Sequence, residues 1–353
     1  MKRKYWFLLS GAALTLLVII SLYHVWNIAD PAYTCARCHE VAPSHASWLS
    51  SAHREVACTK CHGTALSGGT RTLKEKAGMV FSHFKGHLRS DDIGMTEAQT
   101  LEIANRCASC HQAEYAGWLA SGHAVNYREI FMDARHNAAE KPYWDCFRCH
   151  GMYYEGNIHT LMDLNGEPSE WKIIDKKQEA LPTVPCLACH QMHTENPVSS
   201  RYISMADSVR VRAERHPKTA LYLRADKMHL RSDYLTKVQM TDGEREVAAS
   251  SDPNTLLCMQ CHAPNVTHRA GSQDDRTPVG VHEGISCTAC HQPHSTDTRF
   301  SCDQCHPAMS NCGLDVKTMN TTFKDPKSPN DIHRIDCTTC HTDNRTRKLS
   351  PHL

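Results

Sequence analysis

Nine times in 353 residues the sequence spells Cys-x-x-Cys-His, beginning at Cys35, Cys58, Cys107, Cys146, Cys186, Cys258, Cys287, Cys302 and Cys337. The second cysteines are Cys38, Cys61, Cys110, Cys149, Cys189, Cys261, Cys290, Cys305 and Cys340, so eighteen of the nineteen thiols are used. Two thiols at this spacing can add across the vinyl groups of one haem, and the next residue presents an imidazole to the iron. Paired cysteines also hold zinc or form redox dithiols, but neither use requires histidine after every second cysteine. Histidine is about 7% of the chain, and nine chance successes have a probability on the order of 10⁻¹⁰. The motifs therefore specify nine covalently bound c-type haems (iron). Their proximal ligands are His39, His62, His111, His150, His190, His262, His291, His306 and His341.

One haem for about every 39 residues leaves too little polypeptide to enclose each in its own apolar core, so the macrocycles are expected to be a large part of the interior. An aromatic content of 7% and a mean hydropathy of -0.50 agree. The formal charge of +1 omits two propionates per haem, and no nucleic-acid footprint is visible. The fold class expected is mainly α with long loops and almost no sheet, a multihaem cytochrome c fold packed around nine haems, plus one N-terminal transmembrane helix.

That helix is read from residues 1–29. Lys2, Arg3 and Lys4 precede an uncharged run from Tyr5 to Ala29, long enough to cross about 30 Å of hydrocarbon at 1.5 Å per residue. Tyr5, Trp6, Tyr23 and Trp26 lie near its ends, where interfacial aromatics belong, and the basic residues should stay inside. A cleaved signal peptide would have a shorter apolar region and a small-x-small cleavage site, which residues 23–31 do not offer. The expectation is a single retained anchor in the cytoplasmic (inner) membrane with the haem domain in the periplasm.

After the anchor come Cys35-Ala36-Arg37-Cys38-His39-Glu40-Val41-Ala42-Pro43, then Ser50-Ser51-Ala52-His53, then the motif at Cys58. This order resembles the NapC/NirT/NrfH family of membrane-anchored quinol dehydrogenases over roughly residues 1–90. The resemblance implies that menaquinol is oxidised beside the first haem, with Lys74, followed by Ala77-Gly78, at the quinol pocket. Two departures matter: Val41 stands where the family carries the methionine ligand of the first haem, and the expected acidic residue is replaced near Phe81. The first haem then needs another sixth ligand or stays open; His45 is nearest, with His83 and His87 next. The Tyr115, Trp118, His123 phrase and the His-x-Gly-Ile-x-Cys phrase patchily resemble the hydroxylamine oxidoreductase and pentahaem nitrite reductase superfamily. Its catalytic Cys-x-x-Cys-Lys is absent, and no tyrosine follows His341.

Of twenty-five histidines, sixteen lie outside the motifs, enough for bis-histidine ligation throughout. Repetition selects among them. His53, His282 and His333 each stand four or five residues before a motif, and from there a side chain reaches a neighbouring haem more readily than its own. Ser47-Trp48-Leu49-Ser50-Ser51-Ala52-His53 is echoed by Gly117-Trp118-Leu119-Ala120-Ser121-Gly122-His123, a short amphipathic helix delivering a ligand with tryptophan against porphyrin. His193 and His294 end the phrase Cys-His-x-x-His, and His136 and His159 flank the fourth motif. His216, His229 and His268 are further candidates. Each of these could instead be a surface or core histidine.

The organisation expected is an anchor at 1–29, a dihaem unit at 30–95, a three-haem segment at 96–200, a helical haem-free connector at 201–250 and a four-haem cluster at 251–353. The functional expectation is a relay of electrons from the menaquinol pool or a membrane partner to a periplasmic or outer-membrane redox protein. The rival is a reductase or oxidase of a small nitrogen or sulfur compound at one five-coordinate haem. Cys312, the unpaired thiol, is read as buried and inert or, in the rival, as a ligand to iron or a sulfur substrate.

Overall fold

The computed structural model describes residues 2–64, 67, 74, 77–78, 80–81, 83–85, 95–193, 219–264, 267–270, 275–295, 302–306, 320–321, 327–328 and 330–336. The ninth motif with Cys337, Cys340 and His341, together with His87, His216 and Cys312, lies outside the described residues. The chain divides into two compact units, residues 1–95 with 192–197, and residues 96–191 with 198–353.

In the first unit α1 (Lys2–Ile28) contains a span, Tyr5–Ile28, of mean hydropathy 2.1 with none of it buried. It is long and apolar enough to cross a membrane. The Tyr23 hydroxyl and Thr64 Oγ1 lie 2.7 Å apart, and Asp30 caps the turn at Pro31–Tyr33. Helix α2 (Ala42–Ser50) starts with Pro43 in its first turn, where a missing N–H costs nothing. Helix α3 (Cys58–His62) ends at Gly63, whose φ of 67° suits glycine.

The second unit opens with α4 (Glu97–Cys107), started by a reciprocal capping box of Thr96 and Gln99. Helices α5 (Gln112–Leu119), α6 (Tyr127–Phe131), α7 (Ala134–Ala139) and α8 (Ile158–Leu161) follow. Asn126, Asp133 and Asn157 cap the last three by accepting from backbone N–H groups. Strands β1 (Met162–Asp163) and β2 (Lys172–Ile173) pair antiparallel.

Around them Tyr127, Phe131, Phe147, Tyr154, Ile158, Leu161, Met162, Leu164, Trp171 and Ile173 form a buried side-chain core. At its edge Gly151, at φ +82°, immediately follows His150; a Cβ there would overlap the Tyr127 ring. The polypeptide around the fourth motif thus supplies apolar packing that the low aromatic content did not lead one to expect.

The expected helical connector at 201–250 is corrected over its described part. Residues 219–250 hold two antiparallel hairpins, β3 (Ala220–Leu223) with β4 (Met228–Arg231) and β5 (Met240–Asp242) with β6 (Arg245–Val247). Four two-stranded ladders occur among the described residues, so the expectation of almost no sheet is corrected as well. The cause lies in the turns: Gly243-Glu244 closes the second hairpin between the paired Asp242 and Arg245, with Gly243 at φ 65°, and Lys227 takes φ 50° in the first. A glycine at the first position of a two-residue turn is a hairpin signal that outweighs residue-by-residue helix propensity.

Helix α9 (Pro253–His262) is fixed at its start by Asp252, which accepts from Asn254 and Thr255, and by Pro253. Its Met259 packs with Met240, Val247, Ala263, Ala270 and Val279 in a second core. Strand β7 (Val279–Gly280) pairs in parallel with β8 (Arg334–Ile335), and α10 (Cys287–Cys290) and α11 (Cys302–Cys305) are single turns.

Candidate functional site

Every described Cys-x-x-Cys-His motif forms one helical turn. In the third, fourth, fifth, seventh and eighth, the histidine N–H donates to the carbonyl of the first cysteine, at 2.8, 2.8, 3.1, 2.9 and 2.8 Å. The second and sixth are carried by α3 and the end of α9, and the first is a tighter turn, Cys35–Arg37. A turn of this kind puts residues i and i+3 on one face, so both thiols point the same way and the imidazole follows beside them.

Six motif histidines face a histidine from elsewhere in the chain. Ring centroids are 5.4 Å apart for His39 and His83, 6.0 Å for His62 and His193, and 5.8 Å for His190 and His294. They are 6.1 Å apart for His262 and His123, 6.0 Å for His291 and His333, and 6.4 Å for His306 and His282. A ring nitrogen about 2 Å from a metal puts the ring centre about 3 Å away, so two axial imidazoles stand about 6 Å apart. The donor set and its spacing fit a six-coordinate haem iron at five of the pairs; at His39 and His83 the Glu40 Oε1 stands against both rings, 3.3 Å from His39 Nε2 and 2.7 Å from His83 Nδ1.

Burial pushes the imidazoles of His123, His291 and His333 down, and that of His262 down to about 4. The neutral ring is the form that ligates metal.

The repeated tryptophan phrase folds the same way twice. The Ser51 hydroxyl donates to the Trp48 carbonyl at 2.8 Å and accepts the His53 N–H at 3.1 Å. Ser121 does the same with Trp118 and His123, at 2.7 and 3.2 Å. The indole N–H of Trp48 donates to Val56 at 3.0 Å and that of Trp118 to Val184 at 2.9 Å, each valine standing two residues before a motif. Val56 N–H in turn donates to the His53 carbonyl at 2.8 Å, and Val184 N–H to that of His123 at 3.2 Å. One device closes over three residues in the first unit and over sixty in the second. The tryptophans thus dock the histidine turn onto the backbone entering a motif, a role the sequence did not disclose.

The other candidates are placed differently. His45 stacks on Trp48 at 5.4 Å, His136 is half-buried in α7, and His159 is exposed in α8. His229 donates through Nε2 to the Leu187 carbonyl at 2.6 Å, with the Tyr153 hydroxyl 3.3 Å away, and burial lowers its pKa. His268 has φ 50°, and its carbonyl accepts from Thr241. Among the described residues these five make no ring contact with a motif histidine. Lys74 is exposed. Two residues that sequence reasoning passed over shape the pairs: Gly117, whose missing side chain admits the His294 backbone, and Glu40, which bonds His83.

Repeated haem-attachment turns and imidazole pairs at axial spacing define the class as a multihaem c-type cytochrome, an electron-transfer protein with covalently attached haems. Residues 30–201, a little under half of the chain, match the family described as "Outer membrane cytochrome MtrC/MtrF-like, domains II/IV". No curated protein and no solved structure matches.

Proposed function

We propose that this chain is a nonahaem relay held in the cytoplasmic membrane by α1. It takes electrons from the menaquinol pool or a membrane partner and passes them to a periplasmic or outer-surface redox protein. The observation that carries this reading is the set of five non-motif histidines facing five motif histidines at the spacing of two axial imidazoles. When bound, each haem supplies a one-electron carrier. The thiol pairs would hold its edge, and the imidazole pairs would close the iron to small ligands and favour low potentials. The segments that bring distant histidines to a motif draw neighbouring attachment sites together. Lys74 is the proposed quinol contact, on the resemblance of residues 1–90.

The test combines mass, spectrum and reductant. Mass spectrometry of the mature polypeptide should show nine added haems and an intact N-terminus. The membrane-embedded protein should be reduced by a menaquinol analogue and give a low-spin spectrum that cyanide, nitrite and hydroxylamine leave unchanged. A high-spin signal that shifts with those ligands would move the assignment to a reductase or oxidase. Reduction by a partner protein but not by the quinol analogue would remove the quinol step.

A further inference from the structure

Helix α9 ends in the sixth motif, and each thiol of that motif meets a thiol of another. On one side Arg148, inside the fourth motif, donates from Nη1 to the Gln260 carbonyl at 3.1 Å, and the Cys149 thiol lies 4.0 Å from the same oxygen. Here the Cys149 and Cys261 thiols share a hydrogen bond. On the other side Thr255, at 3% exposure, accepts the Cys287 N–H through Oγ1 at 3.1 Å and lies 3.3 Å from the Ser286 hydroxyl. There the Cys258 and Cys287 thiols share a hydrogen bond. The first thiol of the sixth motif therefore touches the seventh motif, and its second touches the fourth.

Residues 276–279 fasten the histidines of the same two sites. The Arg276 N–H donates to the His262 carbonyl at 2.9 Å and the Val279 N–H to the His333 carbonyl at 2.7 Å. His262 belongs to the sixth motif, and His333 faces His291 of the seventh. Three residues of chain span at most about 11 Å, so the two histidine backbones are held close.

We propose that α9 makes the sixth haem the junction between the fourth and the seventh: the attachment edges of the three sites meet with no polypeptide between them, and the order of haems in space departs from their order in the chain. When the thiols become thioethers their hydrogen bonds are lost, and the sulfurs that remain are in van der Waals contact. The shortest route between the fourth and seventh sites then runs through the sixth. The inference rests on covalent attachment at the three motifs and needs neither quinol nor a particular axial ligand.

The experiment is cryo-electron microscopy of the full-length, haem-loaded protein, with mass spectrometry of the same sample. The expected result is nine haems, with the sulfurs of Cys149 and Cys261, and of Cys258 and Cys287, about 4 Å apart and no side chain between the porphyrin edges. A side chain or another haem interposed at either junction would overturn the proposal. So would missing haems accompanied by a Cys149–Cys261 or Cys258–Cys287 disulfide. A second arm marks the sixth haem: His123→Met should give it His/Met ligation and raise its potential, so that the first electron enters there. Electron paramagnetic resonance before and after that electron should show more than the loss of one ferric haem, because the fourth and seventh each lose a paramagnetic neighbour and their broadened signals sharpen. A difference equal to one isolated haem would overturn the junction. If His123→Met leaves the ligation of every haem unchanged, the axial reading of His123 and His262 fails, while the sulfur distances still decide the inference.

Discussion

Gly117 and His294 are fitted to each other: a Cβ on Gly117 would overlap the carbonyl oxygen of His294. The contact is to backbone, so no side-chain rotation relieves it. Gly117→Ala should therefore push the 291–295 segment off α5 and withdraw His294 from His190. The expected result is one haem changed to high spin, matching His294→Ala. Gly122→Ala, with open space at its Cβ, should leave the spectrum as it was.

The paired histidines make a sharper forecast. His123→Ala, His193→Ala, His282→Ala and His333→Ala should each turn one haem high-spin, and the double variant His123→Ala/His282→Ala should turn two. Magnetic circular dichroism or electron paramagnetic resonance would count them. A variant in this series that stays fully low-spin removes its histidine from the axial set.

How much of this was legible beforehand depends on the distance over which each feature acts. The attachment turns could be read because Cys-x-x-Cys-His lies within one helical turn, and repetition marked His123, His193, His282, His294 and His333. Their partners could not be read, because nothing in the sequence near His294 names His190, nor near His123 names His262. His83 stood behind His45 on proximity alone, yet His45 stacks on Trp48 while His83 faces His39. The hairpins of residues 219–250 lie hidden among helix-compatible residues, because in the second of them a single turn glycine, Gly243, carries the local signal. Gly117 was quoted in a repeat, but its lack of a side chain matters only once another segment lies against it.

Glu97 gives stability a pH dependence. It is buried and accepts from the Tyr127 hydroxyl at 2.6 Å and Gln178 Nε2 at 2.5 Å. Burial pushes its carboxyl above the ordinary range, while the two donors oppose. Because the folded pKa is raised, this group's contribution is full below the unfolded value of about 4.3 and is lost as pH rises through the folded one. Glu97→Gln should flatten that part of a thermal-midpoint profile. Tyr127→Phe removes an opposing donor, so the loss should move to higher pH, at a cost of about 1–3 kcal/mol near neutrality.

His229 should behave as a structural residue. With Nε2 donated to Leu187 and its pKa lowered by burial, it favours the fold while neutral. Its contribution is present above the unfolded value of about 6.5 and is lost as pH falls through the folded one. His229→Phe should leave every haem low-spin and destabilise by about 0.5–1.5 kcal/mol, since the Leu187 carbonyl loses one of two donors and keeps the Tyr153 hydroxyl at 3.0 Å. A new high-spin haem in that variant would contradict the assignment.

The pairing of His190 with His294 and of His262 with His123 also bears on how such a chain is made. The fifth attachment site is completed by residues synthesised after the seventh, and the sixth by residues synthesised before the fourth. The chain must therefore be made through His294 before the second unit can close. Cutting the chain between the fifth and sixth motifs would part both pairs at once, leaving His190 without His294 and His262 without His123.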